Sequence, residues 1–220
     1  ATGTARLIDA TVRLRDARNA DPLVLVVSTG EVYGTGPRVP RVETDALRPQ
    51  SPYAASKVAA EFAALEAWWR TGLRVIVARP FPHTGRGQTP VYVLPAFVAR
   101  LRQARANGTT EVETGSLAPV RDLLDVRDVV RAYLALLTRG EPGQIYNVAR
   151  GEGWSLAELF ARLAALVGVA AIPRTDPALV RSADVAHLVG DSTKIRRATG
   201  WSPDFTLDDT LRELVDAQTD

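Results

Sequence analysis

The stretch Leu23-Val24-Leu25-Val26-Val27-Ser28-Thr29-Gly30-Glu31-Val32-Tyr33-Gly34 decides the fold. Its first five residues are an unbroken, valine-rich apolar run without polar alternation. That is how a strand reads when a parallel sheet buries both its faces. The run ends in a polar, glycine-containing turn, and open α/β sheets bind their ligands beyond the carboxyl ends of such strands. Thr29 therefore offers a hydroxyl, and Glu31 a carboxylate, at the edge where chemistry is expected. The same four residues, Ser28 to Glu31, would also suit a plain turn.

A second stretch adds reactive groups. Ser51-Pro52-Tyr53-Ala54-Ala55-Ser56-Lys57 opens with a good N-cap and a proline suited to the first helical position. Tyr53 then falls in the first turn and Lys57 one turn later on the same face. Of 27 lysines and arginines only Lys57 and Lys194 are lysine, so an amine has been kept here in an arginine-rich chain. The helix dipole and the ammonium both favour phenolate, so the Tyr53 phenol is expected to fall from its usual value of about 10. A phenol of that kind gives a proton to a carbonyl oxygen or takes one from an alcohol. The spacing alone would also fit an exposed helix start with an incidental pair.

Hydroxyl, phenol and amine in this order resemble the catalytic triad of extended short-chain dehydrogenases/reductases, the nucleotide-sugar epimerase/dehydratase/reductase group. Further segments carry the likeness almost to the C-terminus. Arg79-Pro80-Phe81-Pro82-His83-Thr84-Gly85-Arg86-Gly87-Gln88 resembles the family's R-P-F-N-H-T-G-P-G-Q. Arg121-Asp122-Leu123-Leu124-Asp125-Val126-Arg127-Asp128-Val129-Val130 resembles its R-D-F-x-D-V-R-D-V-V. Gln144 to Ala149 and Ala198 to Pro203 match its later signatures.

The resemblance implies that Tyr53 is the acid/base, Lys57 orients the cofactor ribose, and Thr29 polarises the substrate oxygen. It implies NADP or NAD as cofactor, near Ser28, Tyr53, Lys57, Pro80 and His83. It implies a nucleotide-diphosphate sugar as substrate, near Thr29, Arg86, Arg121 and Arg181. Guanidinium forks suit such phosphates. No metal site is implied.

Most sequence features closest to a subgroup point to GDP-4-keto-6-deoxymannose reductases. Glu31 stands where GDP-mannose 4,6-dehydratases carry their base, but such reductases also bear an acid there. Gly30 replaces the aspartate of dTDP-glucose dehydratases. A 4-epimerase is the third reading, and a non-catalytic nucleotide-binding relative is the reading of another class. Two departures bear on substrate: Pro82 removes the family's asparagine amide, and Arg86 adds a charge where the family has proline.

The alternation of strand and helix signals predicts α/β architecture: the C-terminal portion of a Rossmann-type doubly wound parallel sheet with a smaller substrate-binding α/β part. Residues 1–150 are expected to form the partial dinucleotide-binding unit. Residues 151–220 form the substrate part, with contributions from 80–122. Helices are expected over 1–17, 52–71, 91–106, 126–138, 155–168, 192–199 and 206–217. Strands are expected over 23–28, 73–79, 110–114, 144–149 and 170–174. A glycine-rich pyrophosphate turn after a first strand is missing, so the first βα units are expected upstream of Ala1.

Composition narrows the rest. With 46% hydrophobic and 24% charged residues the chain is ordinarily globular, and zero cysteine excludes disulfides and thiolate sites. A net charge of +2, with arginines scattered among acids, gives no case for nucleic acid. No apolar run suits a membrane span, and a cytoplasmic location is expected. Residues 59–69 offer small and aromatic side chains for a homodimer face, or equally for packing on the sheet.

Overall fold

The structure, a computed structural model, describes residues 1–180 and 185–217. Among them the chain runs α1 (Thr2–Arg18), β1 (Leu23–Val27), α2 (Pro52–Thr71), β2 (Arg74–Pro80), β3 (His83–Thr84), α3 (Val93–Asn107), β4 (Glu111–Thr114) and β5 (Val120–Arg121). It continues with β6 (Leu124–Asp125), α4 (Val126–Arg139), β7 (Ile145–Val148), β8 (Trp154–Ser155), α5 (Leu156–Val167), β9 (Ile172–Thr175), β10 (His187–Leu188), α6 (Thr193–Thr199) and α7 (Leu207–Ala217). Every expected helix and strand forms, with bounds shifted by at most two residues. The two-residue strands were not foreseen, because so short a pairing leaves no periodic trace.

The central sheet is parallel, in the order β1–β2–β7. Leu23 pairs with Arg74 and Val27 with Ala78, while Val77 pairs with Ile145 and Pro80 with Val148. Side chains alternate along β2, as the period of a strand requires. Val75 and Val77 pack with Ile8, Ala64 and Leu65 of α1 and α2. Ile76 and Ala78 pack with Val129, Leu136 and Ile195 of α4 and α6. The sheet thus has a helical layer on each face. β1 is an edge strand: Leu23, Val24 and Leu25 are half-buried and Val27 is exposed. Beside it, α4 turns Val126, Val130, Leu134 and Leu137 outward at helical spacing.

A second core gathers α3, α5 and α7, with Phe97 and Phe160 edge-on at 5.3 Å. The small sheet β10–β5–β8 lies next to this core. Local signals act as read. Ser51 accepts the Ala54 N–H at 3.1 Å, and Gly72 ends α2 at φ 71°, a conformation that favours glycine. Ser155 and Glu158 form the capping box of α5.

Candidate active site

The carboxyl end of β1 brings three expected groups together. Thr29, buried, caps a short 3-10 turn (Gly30–Tyr33) by accepting the Glu31 N–H at 3.3 Å. Gly30 lies against the Phe81 ring, which a Cβ there would approach to 3.1 Å. The Ser51 cap and Pro52 set Tyr53 in the first turn of α2, where it is half exposed. Lys57, one turn on, donates its Nζ to the Val27 carbonyl at 3.0 Å and stands 5.7 Å from the centre of the Tyr53 ring. One amine N–H is thereby anchored to the strand end, leaving two for the hydroxyls of a ribose. The donor set fits the expected dinucleotide at this point.

The phenol behaves differently from expectation. Burial, then the Glu31 carboxylate, push Tyr53 above its ordinary 10.0, and a hydrogen bond with the Thr29 hydroxyl only partly opposes them. The expected lowering fails because burial and the Glu31 carboxylate outweigh what favours the phenolate. Tyr53 is therefore a neutral proton donor at physiological pH.

Ser28, which precedes Thr29, is buried, and its hydroxyl donates to Glu61. Glu61, from the middle of α2, receives Arg79 through two bonds, Nε at 3.0 Å and Nη2 at 2.7 Å. Arg79 Nη1 reaches the Tyr33 hydroxyl at 2.9 Å, and that hydroxyl donates to Asn147 Oδ1 at 2.7 Å. Burial pushes Tyr33 up to about 12, so it stays a neutral donor. This network ties Ser28 and the 3-10 turn that follow β1 to β2, β7 and α2. The residues were in view in the sequence, but Glu61 carried no signal because it lies in an alanine-rich helical stretch.

Pro80 ends β2, and His83 follows with Nδ1 3.0 Å from the Phe81 carbonyl, which assigns the proton to that nitrogen. Arg121 lies on β5, and its Nη1 donates to the Val185 and Val120 carbonyls at 2.6 and 2.8 Å. It lines a cavity of about 410 Å³ together with Pro82, Phe97, Arg100 and Leu179. Arg86 lines a different cavity, with Arg127, Glu213 and Asp216, so the structure does not join it to Arg121. Its added charge shares that cavity with Glu213 and Asp216 of α7. Arg181 lies outside the described residues.

Asp122 was quoted in the sequence without a role. Its buried carboxylate accepts the N–H groups of Arg150 at 2.9 Å, Gly151 at 2.8 Å and Gly190 at 3.3 Å, holding two loops behind Arg121. Burial raises it from 3.8 to about 6, against the pull of those donors. A raised folded value means that the native state binds the proton more readily than the unfolded chain. The stabilisation from that proton is full below about pH 4 and lost as pH rises to about 6. The difference in unfolding free energy between wild type and Asp122→Asn should fall by about 3 kcal/mol over that range, read from denaturant midpoints. A flat difference would show that the carboxylate is not held in this way.

The chain matches the GDP-mannose 4,6-dehydratase family over residues 1–214. It is 37% identical over 219 residues to the GDP-6-deoxy-D-mannose reductase of Pseudomonas aeruginosa, covering 97% of this chain and 70% of that protein. It is 34% identical to the dTDP-glucose 4,6-dehydratase of Streptomyces griseus over 213 residues, 97% of this chain and 62% of the relative. The solved structure of RMD from Pseudomonas aeruginosa in complex with NADPH superposes with a TM-score of 0.88 at 34% identity. That superposition covers 98% of this chain and 71% of the solved one.

Proposed function

The chain belongs to the GDP-mannose 4,6-dehydratase family, and from that premise we propose that it works as an NAD(P)-dependent oxidoreductase reducing a 4-keto-6-deoxy GDP-sugar. The observation that carries this reading is the meeting of Tyr53, Thr29 and Lys57 at the carboxyl end of β1. The wider class, nucleotide-sugar reductases, dehydratases and epimerases, is that of its relatives.

When bound, NAD(P)H supplies the hydride. Lys57 holds the ribose with the N–H groups that Val27 leaves free, and Thr29 donates its hydroxyl to the sugar's C4 carbonyl oxygen. Tyr53 would give its proton to the C4 oxygen as the carbonyl becomes the alcohol. The phenolate left behind is neutralised from solvent. A phenol raised above its ordinary value is protonated at the start, which favours reduction. Arg121, on the cavity wall, is the phosphate-binding side chain.

Glu31 favours a second reading. Its carboxylate bears on Tyr53, and a base beside the acid suits removal of a sugar C5 proton in a 4,6-dehydratase. Two incubations separate the readings. Oxidation of NADPH or NADH on addition of GDP-4-keto-6-deoxymannose is the expected result. Conversion of GDP-mannose to its 4-keto product, with no such oxidation, would give the assignment to the dehydratase.

For assembly, we propose a homodimer through α1 and α2. Leu7 and Leu14, and Phe62 and Trp69, are exposed at seven-residue spacing on these two packed helices. The inner residues Ala60, Ala64 and Leu65 pack on the sheet. Among the described residues no helix is long and apolar enough to cross a membrane.

A further inference from the structure

Among the described residues two guanidinium groups are buried, those of Arg79 and Arg41. Arg79 is matched by Glu61, but Arg41, 4% exposed, has no such counterpart. Its Nη1 stands 3.8 Å from the Asp45 carboxylate, too far for a hydrogen bond. Its Nε and Nη2 are buried and meet no acceptor among the described residues. The neighbouring acids are engaged elsewhere: Asp45 accepts the Val42 N–H at 3.2 Å, and Glu43 the Asn147 N–H at 2.8 Å.

Nε and Nη2 form one edge of the guanidinium, with two parallel N–H bonds. That edge fits two oxygens of a single carboxylate or phosphate. Water would answer the N–H groups but not the charge, and a buried charge without its counterpart is costly. Arg41 cannot easily move away. Its N–H donates to the Val189 carbonyl, and its own carbonyl accepts the Asp191 N–H, both at 2.8 Å. Gly36 lies so close above the guanidinium that a Cβ there would collide with Nη2.

The surroundings are cationic. His187 keeps a buried Nδ1 that also lacks a partner. Burial, then the charges of Arg38, Arg41 and Arg121, hold its imidazole below the ordinary 6.5. His187 pairs with Val120 across β10 and β5, whereas Arg121 is one position further on and turns to the other face of that sheet. Neither Arg38, Arg41 nor His187 is among the described residues lining the Arg121 cavity.

We propose that Arg41 anchors a second anion site, which takes a small oxyanion such as inorganic phosphate through Nε and Nη2, apart from the cavity that Arg121 lines. The exposed Arg38 adds to the attraction.

Inorganic phosphate titrated into the full chain tests this, at constant ionic strength with chloride as the balancing salt and GDP present in excess. One phosphate should bind, and the unfolding midpoint should rise with phosphate as it does not with chloride. Arg41→Met should weaken phosphate about 10–100-fold, the usual worth of hydrogen bonds to a charged group. In chloride alone the same variant should unfold at a higher midpoint than wild type, because an apolar chain replaces an unmatched buried charge. Arg41→Lys keeps the charge but not the two-pronged edge, and should also lose most of the affinity.

A wild-type protein indifferent to phosphate would overturn the proposal, and that comparison needs no variant to fold. So would phosphate binding that is unchanged in Arg41→Met, or that excess GDP abolishes, since the anion would then belong to the nucleotide cavity. If GDP itself does not bind, the nucleotide reading of the Arg121 cavity fails, while phosphate on wild type against Arg41→Met still decides the Arg41 site.

Discussion

Replacing Tyr53 by phenylalanine is expected to lower kcat for carbonyl reduction by about 10²–10⁴-fold, the usual worth of a positioned proton donor. KM for the nucleotide sugar should hardly move. On the proposed reading the phenol acts on the reacting oxygen, whereas the nucleotide is held in the cavity that Arg121 lines. The ring stays in place in the variant, since Ser51 and Pro52 fix the start of α2 without help from the hydroxyl. In wild type the rate of reduction should stay level through neutral pH and fall only above the ordinary phenol value of 10.0, where the donor loses its proton. Glu31→Gln removes the neighbouring negative charge and should bring that fall to lower pH. Steady-state rates across pH for the three proteins check the argument. A Tyr53→Phe enzyme with its kcat intact would remove the phenol from the mechanism.

Arg79→Met should destabilise the fold by about 3–5 kcal/mol, because it leaves the Glu61 carboxylate buried without its cation. Arg79 is 2% exposed and Glu61 1%, so solvent cannot take over. The Ser28 hydroxyl would be its remaining side-chain donor. Tyr33 would lose the N–H it accepts at 2.9 Å while keeping Asn147. Converting both partners, Glu61→Leu with Arg79→Met, should restore most of the loss, since an apolar pair carries no desolvation cost. Urea unfolding of the two single variants and the double gives the coupling. If the losses simply add, the pair is not the unit the geometry describes.

How much of this was legible depended on whether a residue's role is local. The strand Leu23–Val27, the helix opened by Ser51 and Pro52, and the capping box of Ser155 and Glu158 are each fixed by neighbours in sequence, and each was readable. The meeting of Thr29, Tyr53 and Lys57 was readable through the resemblance of their motifs to the triad of extended short-chain dehydrogenases/reductases, since the spacing alone also fitted a plain turn and an incidental pair. The Tyr53 protonation state was not, since it depends on how deeply the ring is buried and on a carboxylate from another turn. The partner of the Ser28 hydroxyl was not readable for the same reason, as it is 33 positions away. Asp122 holds backbone N–H groups, which every residue has, so no spacing pattern could announce it.

The contact of Gly30 with the Phe81 ring has a bearing on what this turn can become. A Cβ at position 30 would come within 3.1 Å of a ring that is 1% exposed, so a larger residue, aspartate included, enters only if the ring gives way. The side chain behind the turn thus limits which groups the turn itself can carry.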